Sequence, residues 1–405
     1  MIFDITPAEK TVPPVTSWGR AILATPLTDQ DTSHIESLRE MERSYHTRLR
    51  LNSADIFDNK WGDELQQEVF DMSYPLRDLL EISSIKKKEW LLFWEIYSIY
   101  VIKPLSTQYE SRKADLRNRG KSRGGPAVSL KGIPFRTFHI KDNSEHSVNC
   151  MRVAIHRIEY ETHAQINWDW LATYAPSDVV RDREQWLTGV DGEGGYSIAN
   201  MRAWKNKINT IMRVADAIIC HNDIVDETPS SIIFPLLNLN AGGIAIVQLP
   251  RISTSATVSM IHIFARAFES TTIIHTTALD RVYLCGNGFL DNITAKHQKL
   301  LYDYCNSYPG GQNMSPFSAE YVSGDEFSAT VETVSGIVNK LNDWRYEFYD
   351  KMLHLCSELR KNAAARTFDK YTHNILSSAY ADVSKRWIST TSFNLFGKLI
   401  QLKIE

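Results

Sequence analysis

Between residues 131 and 300 the chain alternates short apolar runs with helix-length segments, and this constrains the fold more than any other feature. The runs Pro134–Ile140, Ala215–Cys220, Gly243–Gln248, Thr271–His275 and Arg281–Cys285 have strand length. Pro229–Leu239 reads as a helix with proline at a tolerated first-turn position. In Thr254–Glu269 the residues Val258, Ile261, Ala265 and Phe268 recur at helical spacing, giving one apolar face. Strands alternating with helices of this size predict a mainly parallel sheet covered on both sides. The link Thr276–Asp280 is too short for a parallel crossover, so the last two strands are expected to form an antiparallel hairpin.

The flanks differ from this core. Residues 1–30, rich in Pro and Thr, read as an extended lead-in, and residues 33–100 read mostly as helices. Within them Glu89–Tyr97 (EWLLFWEIY) is expected to be a buried helix. From Ser323 on the pattern is helical again. Ser323 and Glu326 have capping-box spacing, and Val331, Val334, Val338 and Leu341 form a stripe that Trp344, Phe348 and Met352 continue. The expected division is a helical region over 1–130, a Rossmann-like core over 131–300 and a helical region over 301–405. Residues 103–136 carry nine Lys or Arg against Glu110 and Asp115, and the centre of that stretch has turn composition. It reads either as a solvated loop or as a phosphate-contacting one formed by Arg112, Lys113, Arg117, Arg119, Lys121 and Arg123.

Net charge is −3 over 405 residues, which does not mark a dedicated polyanion binder. The five cysteines are scattered with no CxxC pair, which fits a reducing compartment and argues against a disulfide framework. No apolar run is long enough for a membrane helix, and the opening MIFDITPAEKTVPP lacks a basic region followed by an apolar one, so neither an anchor nor a secretory leader is expected. A cytoplasmic location follows from these readings. His139, His146 and Cys150 have no common zinc-ligand spacing, so no metal is expected. Gly192–Gly195 lacks the Lys-Ser/Thr of a phosphate loop and reads as a turn. Trp168, Trp170, Trp186 and Trp204 suit core packing first and base stacking second.

Four segments, in order, resemble the FtsJ-like cap 2′-O-methyltransferases, particularly the divergent branch found in large DNA viruses and in the second cap methyltransferase of animals. They are QINWDWLATYAP (165–176), QWLTGVDGEGG (185–195), AGGIAIVQ (241–248) and DRVYLCG (280–286). The resemblance spans about residues 85–350 and implies a Rossmann-like methyltransferase sheet ending in an antiparallel hairpin. In that family a Lys-Asp-Lys-Glu set positions and deprotonates a ribose hydroxyl, and a Gly-rich turn after the first strand receives S-adenosylmethionine. Alignment puts Leu92, His221, Gln248 and Arg281 at the four catalytic positions. The expected Gly-rich turn reads Lys141, Asp142, Asn143, Ser144, Glu145, His146, with no glycine. The resemblance therefore implies a fold retained without its chemistry and without its cofactor. Such a chain would be an RNA-binding or scaffold subunit, with RNA or a protein as partner, for instance in a viral capping complex, virus factory or virion. Two alternatives stand beside it. One is an active S-adenosylmethionine-dependent cap 2′-O-methyltransferase with Asp223, Asp226, Lys205 or Arg251 as substitutes. The other is a structural protein that uses the fold as shape only.

Overall fold

The computed structural model describes residues 1–22, 76, 88–123, 132–141, 146–173, 184–190, 192, 195–212, 215–222, 227–250, 252, 254–277, 279–308, 314–361 and 370–391. The strands are β1 (Ile2–Asp4), β2 (Trp18–Ile22), β3 (Ile133–Ile140), β4 (Ile166–Thr173), β5 (Trp186–Leu187), β6 (Ala215–Cys220), β7 (Leu239–Gln248), β8 (Phe268–His275), β9 (Val282–Phe289) and β10 (Met314–Phe317). The helices are α1 (Lys88–Tyr97), α2 (Lys103–Arg123), α3 (His146–Thr162), α4 (Ile198–Lys207), α5 (Thr228–Asn238), α6 (Ser255–Ala267), α7 (Ala295–Ser307), α8 (Ala319–Val322), α9 (Asp325–Lys361), α10 (Lys370–Ala379) and α11 (Ala381–Thr391). A π-helical turn, Ser98–Ile102, joins α1 to α2.

Eight strands form one sheet in the order β1-β8-β9-β7-β6-β3-β4-β5. Strands β5, β4, β3, β6 and β7 are parallel. Strand β9 then inserts antiparallel between β7 and β8, so β8 and β9 form the expected terminal hairpin. This is a mixed α/β sheet, five parallel strands closed by an antiparallel hairpin, as expected from the alternation of strands and helices. The central strands have no exposed face: Ile218, Ile219 and Cys220 on β6 and Ala245 and Val247 on β7 are fully buried. Runs buried on both faces must be continuously apolar rather than alternating, and these are.

Alternation along β3 identifies what covers each face. Phe138 meets Trp204 of α4 and Phe234 of α5. Its neighbour His139 points the other way, to Ser147 of α3, which also meets Tyr97 of α1. Helices α1 and α3 therefore lie on one face, α4 and α5 on the other. The N-caps Thr254 and Ser197 accept backbone hydrogen bonds and start α6 and α4 where the chain leaves the sheet. Behind α6 a polar cluster is buried. His262 bonds Thr330 at 2.7 Å and Tyr321 at 2.9 Å, and Arg266 donates to His262 Nδ1 at 2.9 Å. Burial, with the Arg266 charge adding to it, drops the His262 pKa to about 3.

The backbone packs as two units. One comprises Met1–Ala24, Glu89–Thr276 and Arg281–Thr330, and the other Thr25–Lys88, Thr277–Asp280 and Val331–Glu405. In the second, Val334, Val338 and Leu341 are buried as the stripe predicts, and Trp344 and Phe348 pack on a cluster of Leu355, Leu376 and Tyr380. Asp280 receives both Nε and Nη2 of Arg345 at 3.1 and 3.2 Å.

Two expectations are corrected. The basic stretch expected to be a loop is helical through Arg123, the backbone of α2. Ser323 does not cap α9: it terminates α8, its hydroxyl bonding the Glu320 carbonyl. Within residues 1–22 the lead-in contains extended strands: β1 adds an antiparallel edge to β8, and β2 pairs with β10 in a second, two-stranded sheet.

Gly286 sets how closely the hairpin packs on α6. A Cβ there would lie 2.6 Å from Phe268 Cγ and 2.8 Å from Phe264. Gly286→Ala should therefore destabilise the chain by about 1–3 kcal/mol through overpacking. Urea denaturation measures it, and an unchanged midpoint would show that the rings can yield.

Candidate functional site

Parallel strands deliver their following residues to one edge of the sheet, where ligands of open α/β sheets bind. Lys141 follows β3, His221 follows β6, Gln248 ends β7 and Arg281 precedes β9. Because β6, β7 and β9 are neighbours, the structure brings three of the four family-aligned positions to this edge. His221 is 7% exposed; its backbone N–H donates to Ile140 O at 3.0 Å, and its ring meets Phe93 edge-on at 4.7 Å. Leu92, one residue before Phe93, is buried on α1. Gln248 is buried, and Tyr283 donates to its Oε1 at 3.4 Å. Arg281 is exposed, and its carbonyl accepts from Thr276 N at 2.9 Å.

Leu92 has no titratable group, and an amide such as Gln248 neither takes nor gives a proton near neutral pH. Arg281 stays protonated and cannot act as a carboxylate. Asp223 lies outside the described residues, as do Asp226, Arg251 and Asp142, Asn143 and Ser144 of the turn. The side chains of Arg112, Lys113, Arg117, Arg119, Lys121 and Arg123 also lie outside them, although their backbone is α2.

The feature that sequence reading missed is what Lys141 does. It stands at φ 59, a left-handed conformation uncommon for any residue but glycine. Its N–H donates to Thr173 Oγ1 at 2.9 Å, which ties the end of β3 to the end of β4. Its Nζ forms an ion pair with Glu227, at the start of α5, and lies 5.5 Å from the centre of the Tyr196 ring. Both side chains of the pair are shielded, 18% and 25% exposed. Glu227 Oε1 also accepts from Tyr196 N at 3.4 Å, and the Tyr196 hydroxyl donates to His221 O at 3.1 Å. Thus Lys141, Glu227, Tyr196 and His221 form one connected polar bridge between the ends of β3 and β6.

The glycine-bearing stretch 189–195 is tied to this bridge. Asn200, fully buried on α4, accepts from Val190 N at 2.5 Å and donates to Gly195 O at 2.8 Å. A Cβ on Gly195 would approach Glu227 Oε1 to 3.0 Å. The only signal for the bridge in the sequence is the missing glycine after β3. The partner, 86 residues further on, carries none.

A second buried network runs beneath it. Tyr97 OH meets Ser147 Oγ at 2.5 Å, which meets His139 Nδ1 at 2.6 Å. His139 Nε2 meets Thr137 Oγ1 at 3.0 Å, and Trp168 Nε1 donates to the same hydroxyl at 3.0 Å. Both nitrogens of His139 are thus engaged by hydroxyls. Among the described residues no three His, Cys, Asp or Glu converge as a metal site would require. Trp204 is core, whereas Trp168 and Trp170 stack half-buried on each other at 6.1 Å. Among the described residues no helix is long and apolar enough to cross a membrane.

No family model matches the chain, and no curated protein matches it. Among solved structures it is similar to MnmC2 from Aquifex aeolicus, with 9% identity over 60% of this chain and 75% of that one, at a TM-score of 0.27. A likeness that slight bears on neither activity nor substrate.

His139 and His262 generate a pH prediction. Burial holds His139 well below its usual pKa, with the nearby His221 adding to the effect, and His262 is at about 3. Below pH 6.5 the unfolded chain takes up protons that these native rings refuse, so stability should fall as pH drops from 6.5 toward 3. Each ring contributes a slope of up to about 1.4 kcal/mol per pH unit. Urea midpoints at pH 7 and pH 5 measure it. His262→Gln should flatten the profile, and an unchanged profile would place the acid sensitivity elsewhere.

Proposed function

We propose that this chain is a degenerate FtsJ-like 2′-O-methyltransferase homologue that acts without methyl transfer, as an RNA-binding or scaffold subunit. A viral RNA capping or virion complex is the setting the resemblance suggests. The observation that supports this most is the Lys141–Glu227 bridge at the turn after β3. In the family this turn is bare glycine backbone against which S-adenosylmethionine lies. Here the first residue after β3 is Lys141, paired to a carboxylate and set beside Tyr196. A sulfonium cofactor brought to that edge would meet a lysine rather than open backbone, and displacing the lysine would leave Glu227 without its partner.

The chemistry at the other end of the edge agrees. Gln248, in the place of the central lysine, carries no amine to hold and deprotonate a ribose hydroxyl, and Leu92 offers none from α1. A retained fold without these groups can still present a surface, and fold alone assigns no activity.

The test is tritium transfer from labelled S-adenosylmethionine to capped RNA. We expect none at a sensitivity about 10⁴-fold below an ordinary turnover of ~10 s⁻¹. Clear transfer that Asp223→Ala abolishes would contradict the proposal and favour an active enzyme with rearranged residues.

A further inference from the structure

Helix α4 and its π-helical continuation Ile208–Met212 contain Arg202, Lys205 and Lys207 and no acidic residue. Arg202 and Lys205, one turn apart, converge on a single ring: Cζ of Arg202 is 5.7 Å and Nζ of Lys205 6.0 Å from the centre of Tyr302 on α7. Neither forms an ion pair with a carboxylate among the described residues. Lys299, exposed and one turn before Tyr302, adds a third cation on α7. Burial depresses the Lys205 ammonium, and no carboxylate offsets that effect.

Two like charges on one ring repel, and the quadrupole of a single tyrosine returns only about 0.5–1 kcal/mol per cation at a half-exposed site. A solvated helix face normally relieves such repulsion with an acid three or four residues away; residues 198–212 supply none, and on α7 Asp303 stands four residues after Lys299. An arrangement of this kind is completed by an external anion. Cations spread over two helices suit a polyanion with repeated charges better than one isolated anion. We propose that the face formed by Arg202, Lys205 and Lys299 around Tyr302 holds the phosphodiester backbone of single-stranded RNA. This rests on the reading of the chain as an RNA-binding subunit and gives that reading a location distinct from α2. The ring of Tyr302 is occupied by the two cations, so the interaction is with phosphate and carries no base preference.

The experiment uses the full chain and a fluorescein-labelled oligouridylate of about 20 nucleotides, with anisotropy followed at about 50 and 200 mM salt. The triple variant Arg202→Gln, Lys205→Gln, Lys299→Gln is compared with the wild type and with Arg117→Gln, Arg119→Gln, Lys121→Gln, Arg123→Gln on α2. Each phosphate left without its cation should lower the slope of log affinity against log salt by about 0.7, so the slope of the triple variant should be smaller by about 2. Its affinity at low salt should drop at least tenfold. The charge-conserving pair Arg202→Lys, Lys205→Arg should keep most of the binding, which a purely structural role for these side chains would not give. If the triple variant unfolds, the exposed single change Lys299→Gln should still lower the slope by about 0.7.

RNA binding with an unchanged slope in the triple variant overturns this inference and leaves the RNA-binding reading standing. Absence of RNA binding by the wild type overturns both. Competition by polyglutamate as effective as that by unlabelled oligouridylate overturns the assignment to phosphate.

Discussion

The central strands of this sheet are buried on both faces, and the rest of the structure follows from that constraint. Residues 217–220 of β6 and 244–248 of β7 are buried, so polar chemistry there is confined to strand ends and to the few hydroxyls and imidazoles that satisfy one another inside. The chain Tyr97–Ser147–His139–Thr137–Trp168 is of the second kind. It fixes α1 and α3 against β3 and thereby sets where the polypeptide leaves the sheet. The Lys141–Glu227 bridge is of the first kind, made where β3 and β6 end.

Much of this is legible without coordinates. Ala215–Cys220 is legible because the apolar run Ala217–Cys220, ended by His221 and Asn222, is too short for a helix in an α/β context. The hairpin of β8 and β9 follows from the length of its link, since a parallel return would need a crossover. Strand β7 extends further back than its apolar run, to Leu239, because Gly242 at φ 79 carries the chain into it without apolar signal. The basic stretch misleads because Gly120, Gly124 and Gly125 look like turn chemistry, whereas Gly120 lies within a helix continuous from Lys103. A composition of Lys, Arg, Ser and Asn is compatible with either state, and local propensity is too weak to decide.

The candidate site is legible in part. That His221, Gln248 and Arg281 would stand at one sheet edge follows from their places at the ends of the expected strands. What occupies the edge beside them depends on Glu227, distant in sequence and carrying no motif, and on a left-handed lysine that no propensity scale predicts. Such long-range pairings arise only when the sheet places the ends of β3 and β6 side by side. The same holds for Arg202 and Lys205 on Tyr302, about a hundred residues away.

In the reading proposed above, the lysine bridge closes the sheet edge to S-adenosylmethionine, and everything said of function depends on that closure. Titration calorimetry of the full chain with S-adenosylmethionine tests it most directly, run beside the paired variant Lys141→Gly, Glu227→Gln. A closed edge predicts no heat of binding for the wild type at cofactor concentrations up to about 1 mM, the weak limit of roughly −4 kcal/mol. Saturable micromolar binding by the wild type, unchanged in the variant, would contradict it.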